Sequence, residues 1–445
     1  MNLQERTRGR LWPAAAIPPT VTRSSAGRFA LRDALLRRTV MVRRNDMDPA
    51  RTVDDGREPT LSNVGGSMNE APPDHGPPLR VAVVGSSFGG RVHVPALQAA
   101  GFEVVALVGR DAARTRERAT HLGIANACTS LADALVLGVD AITVSTPPDS
   151  HVDLVLEAIE AGTHVLCEKP FALNAHDGNC MYIAARDRGI VHCTSFEFRW
   201  SPLDATIGRF VAAGGIGDIK LATFLQISSL VAGGLHPAFN DEWWFDARRG
   251  GGILNAAAPH NIDRFRTWVG EIDAVSARLD VTGPRVASPD AAEDAYTATF
   301  RMRSGATALM QHCAAAWGEP TFAFKLVGTT GTITLGRETA SLGRGPGDNQ
   351  NLEIPDDLVL PDIYIPQGDP KHAFTFMELP PFVRLAQRFA EAIRHGDPEW
   401  SPPGSPPTPT FADALATQRV VDAIRLSSRE NAAWVDVQPL SATGA

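Results

Sequence analysis

The sequence predicts an α/β domain built on a doubly wound parallel sheet, followed by an α+β domain with a large, mostly antiparallel sheet. Three features carry that prediction. From Leu79 onward short apolar runs alternate with helical segments; after about Phe198 the runs lengthen and take up a period of two; and the first run breaks into glycine and serine just before a helix. Continuous apolar strands are buried on both faces, which requires a parallel sheet covered by helices. Period-two runs without intervening helices belong instead to an antiparallel sheet with one face solvated or covered by a partner.

Before Leu79 the chain reads differently. The first 44 residues hold ten arginines against only Glu5 and Asp33, an acid-poor composition that also marks organellar transit peptides. Further methionines at Met41, Met47 and Met68, and the run "DHGPPLR", favour a disordered extension or a start assigned too far upstream over residues 1–78. The expected domains are then 79–198 and 199–437. In the first, "RVAVVG", "FEVVALVG", "DAITVST", "HVLCEKP" and "IVHCTSF" are the strands, separated by helices such as "SHVDLVLEAIEAG". In the second, "SPLDATIGRFVAAG" reads as a helix, and "LATFLQIS", "AYTATFRMR", "ATALMQHCA" and "TFAFKLVGTTGTITLG" as strands. Two late helices, "FVRLAQRFAEAIRHG" and "FADALATQRVVDAIRLSS", are expected to return to the first domain. The prolines of the loop between them, "DPEWSPPGSPPTPT", exclude regular pairing.

Composition narrows the function. With 44% hydrophobic and 21% charged residues over 445 positions, the chain is expected to be soluble and globular. A formal charge of −8 argues against nucleic acid, whose phosphates need a concentrated basic face. Small-molecule partners are the better expectation. Five cysteines without a C-x-x-C pair suit free thiols in a reducing compartment and exclude a zinc ribbon. No run approaches the roughly 20 apolar residues of a membrane span, so the expected location is the cytoplasm. His93, His151 and His236 have no metal-ligand spacing, and no metal is expected.

In "VAVVGSSFGGRVHVPAL" Gly85, Ser87 and Gly90 stand where the three glycines of a dinucleotide fingerprint stand. The first makes the tight turn, the second admits the pyrophosphate and the third packs helix on strand. Ser87 adds a side chain at the crowded point and a hydroxyl for a phosphate, with Phe88 beside it. A structural turn is the other reading. The second strand runs into Gly109 and Arg110, with Arg114 one helical turn beyond. Without a carboxylate at the strand end, and with guanidinium groups near, NADP is expected over NAD, the other reading making Arg110 and Arg114 ordinary exposed helix charges. Asp111 is read as a helix cap that is also within reach of a ribose.

Ligands of such folds bind at the carboxyl edge of the sheet. "STPPDSH" brings Ser145, Thr146, Pro147 and His151 to that edge, and "CEKP" brings Glu168 and Lys169. A lysine there points into the crevice and is able to bond a substrate oxygen, an ordinary surface lysine being the other reading.

These residues carry a resemblance. "STPPDSHVDLVLEAIEAGTHVLCEKPFALN", "TSFEFRWSP" and "GGGILNAAAPHNIDRFRTWVG" resemble successive motifs of the Gfo/Idh/MocA oxidoreductases, over roughly Leu79 to Val437. The resemblance implies a Rossmann domain and an α+β domain whose sheet commonly makes homo-oligomers. It also implies nicotinamide-dependent oxidation or reduction of sugars, inositol or related polyols. Lys169 matches the family's active-site lysine, His260 its acid/base histidine, and Gly250, Gly251 and Gly252 its triple glycine. Where many members carry an aspartate, four residues before the histidine, this chain has Ala256, with Asn255 adjacent.

A neutral histidine accepts a hydroxyl proton as hydride leaves the same carbon, so one base suffices. Asp263, three residues on, either orients His260 or pairs with Arg264 or Arg266, and His260 itself has a core-residue reading. Phe196, Arg199, Trp243 and Asn255 complete the expected substrate contacts, although tryptophan pairs such as Trp243 and Trp244 also fill domain junctions. Two other functions fit the same fold: a non-catalytic regulator that senses cofactor or sugar, and NAD-assisted elimination or hydrolysis with the nucleotide recycled.

Overall fold

Two sheets organise the chain. In the computed structural model, which describes residues 76–233, 242–283, 290–366 and 369–438, the first sheet has six parallel strands. These are β1 (Arg80–Val84), β2 (Glu103–Val108), β3 (Asn126–Cys128), β4 (Ala141–Val144), β5 (His164–Cys167) and β6 (His192–Thr194), in spatial order β3-β2-β1-β4-β5-β6. The order reverses between β1 and β4, and the crevice outside the strand ends at that reversal is where ligands of open α/β sheets bind. Helices α1 (Val94–Ala99), α2 (Ala112–His121), α3 (Leu131–Leu135), α4 (His151–Glu160) and α5 (Ala175–Asp187) are the crossovers. Val81, Val83, Ala82, Ile142 and Leu166 are fully buried, as continuous apolar strands require. The extension up to residue 75 and His236 lie outside the described residues.

After α6 (Pro202–Ala212) the second sheet begins with β7 (Ile219–Ile227). It continues through β8 (Ile272–Asp280), β9 (Ala295–Met302), β10 (Thr307–Cys313), β11 (Thr321–Gly328), β12 (Thr332–Leu335), β13 (Ala340–Gly345), β14 (Asp348–Asn351) and β15 (Val435–Asp436). The order is β14-β13-β12-β11-β7-β10-β9-β8-β15, and only β7 and β10 run parallel. Burial along β9 alternates, Tyr296, Ala298, Phe300 and Met302 turning inward. Helix α7 (Ile253–Trp268) packs on that inner face, Phe265 lying 5.8 Å from Phe300 and 5.1 Å from Phe324 between ring centroids. Each such ring contributes about 1.5–3 kcal/mol by leaving water.

Of the late helices, α8 (Thr375–His395) joins the first-sheet core through Leu379, Phe382, Leu385 and Phe389. Helix α9 (Phe411–Arg429) is shared, with Phe411 and Ala414 in the first-sheet core and Val420, Val421 and Ile424 in the core under the second sheet. A reciprocal cap starts it: Thr410 accepts the Asp413 N–H while the Asp413 carboxylate takes the Thr410 N–H, satisfying two groups a helix start leaves open.

Candidate active site

The glycine turn leaves β1 at Gly85, whose φ of +111° is the left-handed region. A Cβ there would stand 2.6 Å from the Ser145 carbonyl, so the turn also needs the space. Ser87 is exposed at the crest, with Phe88 beside it, and a π-helical turn over Gly89–His93 leads into α1. Gly90 packs the helix against Leu122, but the tightest approach is at the buried Gly89, whose Cβ would meet the Ser145 hydroxyl and stand 2.8 Å from Val83. Ser145 itself donates to the Val84 carbonyl at 2.9 Å, tying the two strand ends together. The first N–H groups of a helix have no intrahelical partner and favour an anion.

At the end of β2, Gly109 has a packing reason: a Cβ would lie 2.5 Å from Thr115 Oγ1 and 3.0 Å from Ser86 Oγ. Asp111 caps α2, its carboxylate accepting the Arg114 N–H at 2.9 Å. That hydrogen bond holds its carboxyl below the ordinary range. Arg110 is exposed, and the Arg114 guanidinium turns back to Asp111 at 3.5 Å. The guanidinium that reaches the glycine turn belongs to Arg118, which donates to Ser86 Oγ at 3.0 Å.

Across the reversal, Thr146 and Pro147 line the edge after β4. His151 does not face it: the ring is fully buried, with Nδ1 3.2 Å from the Phe171 carbonyl and Nε2 2.9 Å from that of Thr146. It fastens the loop to α4, with no nitrogen left for a ligand. Glu168 is likewise buried, taking His93 Nε2 at 3.0 Å and the Lys169 N–H at 3.1 Å. Burial pushes this carboxyl up, but the hydrogen bond and charge of His93, with the Lys169 charge, outweigh it and hold it below the usual value. Glu168 thus positions Lys169, which precedes the cis proline Pro170.

The Lys169 ammonium donates to the Ala256 carbonyl on α7 at 3.3 Å. His260 lies one turn along that helix, its ring 4.4 Å from Phe198 and 6.2 Å from Phe196 between centroids. Burial, then the charges of Lys169 and Arg264, push the imidazole well below its ordinary value. The imidazole is therefore neutral. The glycines that open α7 allow a close fold: Gly250 and Gly252 have φ of +80° and +101°, and a Cβ on Gly251 would meet the carbonyl oxygens of Trp243 and Trp244. Glu293 accepts the Leu254 N–H at 3.1 Å at the helix start, a cap that the sequence reading lacked.

Asp263 is not behind His260, and neither Arg264 nor Arg266 is its partner. Arg199 takes both its oxygens, at 2.8 and 2.6 Å, and reaches Asp413 at 3.3 Å. The two carboxylates hold the guanidinium up despite its burial. Arg264 binds Asp204, and Arg266 binds Glu271 and Asp413. A cavity of about 390 Å³ opens beside this pair, lined by Phe196, Phe198, Arg199, His260 and Asp263 with the loop 404–407. Trp243 and Asn255 do not line it; the Asn255 amide donates to Gly250 and holds the helix start. Among the described residues no His/Cys/Asp/Glu cluster suits a metal, and no helix is long and apolar enough to cross a membrane.

Two family models match in succession. Residues 79–195 fit the oxidoreductase family with an NAD-binding Rossmann fold, and residues 205–334 fit the GFO/IDH/MocA C-terminal domain. The chain belongs to the Gfo/Idh/MocA oxidoreductase family. An uncharacterized oxidoreductase of Synechocystis is 26% identical, over 82% of this chain and 97% of that protein. A levoglucosan dehydrogenase of Pseudarthrobacter phenanthrenivorans is 27% identical, over 68% of this chain and 80% of that protein. A solved levoglucosan dehydrogenase in complex with NADH and L-sorbose superposes with a TM-score of 0.68 at 24% identity, covering 81% and 99% of the two chains, and shares the fold. A nicotinamide dinucleotide fits this family member's own residues: the space-demanding turn at Gly85, the open crest at Ser87 and the helix start after it all face the sheet reversal.

Proposed function

We propose that the chain is an NAD(P)-dependent dehydrogenase or reductase acting on a CH–OH or carbonyl group of a sugar, inositol or related polyol. The observation that carries this reading is the Lys169 ammonium held on α7 one turn from a buried, neutral His260. The bound nucleotide supplies the hydride acceptor or donor. Lys169 polarises the substrate oxygen, and His260 takes the hydroxyl proton in oxidation or returns it in reduction. Relatives named inositol 2-dehydrogenase and 1,5-anhydro-D-fructose reductase support the substrate class.

For the nucleotide the reading is NADP over NAD, with Ser87 and Phe88 at the pyrophosphate, Gly109 and Arg110 at the adenosine half and Arg118 as the strongest phosphate partner. The test is a fluorescence titration with NADPH and NADH, repeated on Arg118→Ala and Arg110→Ala, followed by a panel of polyols and sugars. Tighter NADPH binding that weakens selectively in Arg118→Ala, and turnover abolished in Lys169→Ala, are expected. Nucleotide binding with no turnover across the panel would point to a sensor, and loss of a leaving group without net nucleotide reduction to elimination.

A further inference from the structure

Glu197 carries chemistry that the reading above does not use. It sits in the short 3-10 turn Glu197–Trp200 that follows β6, and its carboxyl is almost completely buried, 3.9 Å from His260 Nε2 through Oε1. The second oxygen, Oε2, has no hydrogen-bond partner, and neither does His260 Nδ1. No carboxylate on α7 serves the imidazole, since position 256 is alanine and Asp263 is held by Arg199. An unpartnered buried carboxyl is costly, and among the described residues its one titratable neighbour at ion-pair distance is the proposed base.

We infer that Glu197 is the positioning carboxyl beside His260 Nε2, taking on the proton that the imidazole receives from substrate. The inference rests on the proposed dehydrogenase function. In oxidation the C–H electron pair leaves as hydride to the bound nicotinamide nucleotide. The O–H bond breaks toward His260 Nε2, the nitrogen that Glu197 faces, and the same proton passes on from Nε2 to the Glu197 carboxylate. The imidazole ends neutral, the carboxyl protonated, and the substrate a carbonyl; reduction runs the same transfers backward. The 3.9 Å gap closes on binding, as contacts between catalytic groups commonly do between free and loaded enzyme.

The surroundings agree. Burial and the neighbouring Glu168 charge raise the Glu197 carboxyl well above its ordinary value, Glu378 on α8 adds to this, and Lys169 opposes it. His260 faces Lys169 and Arg264, and both disfavour a lasting imidazolium. Glu168 is itself paired with His93. The pair therefore prefers to store its proton on Glu197, and the two groups titrate as a unit.

The test compares wild type, Glu197→Gln and Glu197→Asp. In wild type, oxidation rises with pH along a limb set by the pair's upper titration, because the base form must be deprotonated. Glu197→Gln is expected to lose about 100-fold in kcat, within the range of acid–base contributions, with nucleotide affinity unchanged and the limb displaced to lower pH. Glu197→Asp retains activity within about tenfold by the same argument. A limb that stays in place in Glu197→Gln overturns the inference. A second readout is independent of turnover: the infrared carbonyl band of a protonated buried carboxyl, followed against pH in wild type minus Glu197→Gln. The band is expected to persist above the usual carboxylate range, and its absence at pH 6 overturns the inference. No turnover with any polyol, together with that band, instead sinks the dehydrogenase function and leaves the carboxyl–imidazole pair standing.

Discussion

Asp263→Ala is expected to destabilise the protein by about 3 kcal/mol, the lower part of the roughly 3–5 kcal/mol cost of stranding one partner of a buried ion pair. Both side chains are dry, Arg199 being 5% exposed and Asp263 4%. Two charge-assisted hydrogen bonds of 2.8 and 2.6 Å disappear. The lower part of the range applies because Arg199 keeps Asp413 at 3.3 Å and the Pro407 carbonyl at 3.0 Å. In urea unfolding this reads as a lower midpoint at an unchanged slope, about a hundredfold in the folding equilibrium at ~1.4 kcal/mol per tenfold. Replacing both partners by apolar residues, Arg199→Met with Asp263→Leu, should recover part of the loss, since no charge is left buried alone. A wild-type midpoint in Asp263→Ala refutes this reasoning. So does a stable variant whose turnover changes its pH dependence, because that would put Asp263 behind His260 after all.

Three further outcomes follow from the geometry. Gly109→Ala should cost about 1–3 kcal/mol of overpacking against Thr115 and Ser86 and weaken NADPH in a calorimetric titration; equal affinity would show that the turn yields freely. Burial holds His192 and His312 at about 4 against 6.5, so the unfolded chain binds protons first as pH falls. Their stabilisation is complete above about pH 6.5 and is lost toward pH 4, on the order of 3 kcal/mol each. Urea midpoints across that window should fall, and less steeply in His312→Phe. Phe265→Ala should cost about 3–5 kcal/mol, read in the same unfolding assay; a loss under 1 kcal/mol would mean that the Phe300 and Phe324 rings close the gap.

The parallel sheet was readable because unbroken apolar strands, a glycine turn and intervening helices all agree on one architecture. The second sheet was readable from its alternation, although nothing in that pattern says which two strands run parallel. Side-chain partners were less accessible. Arg114 was expected near the nucleotide because it lies one turn past the strand; Arg118 is one turn further on the same helix face, and only the path of α2 decides between them. Glu197 lies between Phe196 and Arg199, both expected contacts, yet a glutamate in a polar-aromatic turn is ordinarily solvated. Its burial follows from packing by α7 and α8, which come from two distant parts of the chain.

Helix α7 shows why so much of the site depends on one register. Leu254, Ala258, Ile262 and Phe265 are spaced by four, four and three residues and are all fully buried in the core under the second sheet. Ala256, His260, Asp263 and Thr267 repeat nearly the same spacing on another face, carrying the lysine contact, the imidazole, the arginine anchor and a cavity wall. At 3.6 residues per turn a slip of one residue rotates every side chain by about 100°, so the apolar face cannot stay in the core unless His260 stays at the site. The triple glycine fixes where that register begins, by letting the chain turn against Trp243, Trp244 and Glu293 where any side chain would collide. Pairing of Asp263 with Arg199 then joins the helix to the turn that bears Glu197. The hydrophobic core, the ion pair and the imidazole–carboxyl contact are therefore set by the same rotation of one helix.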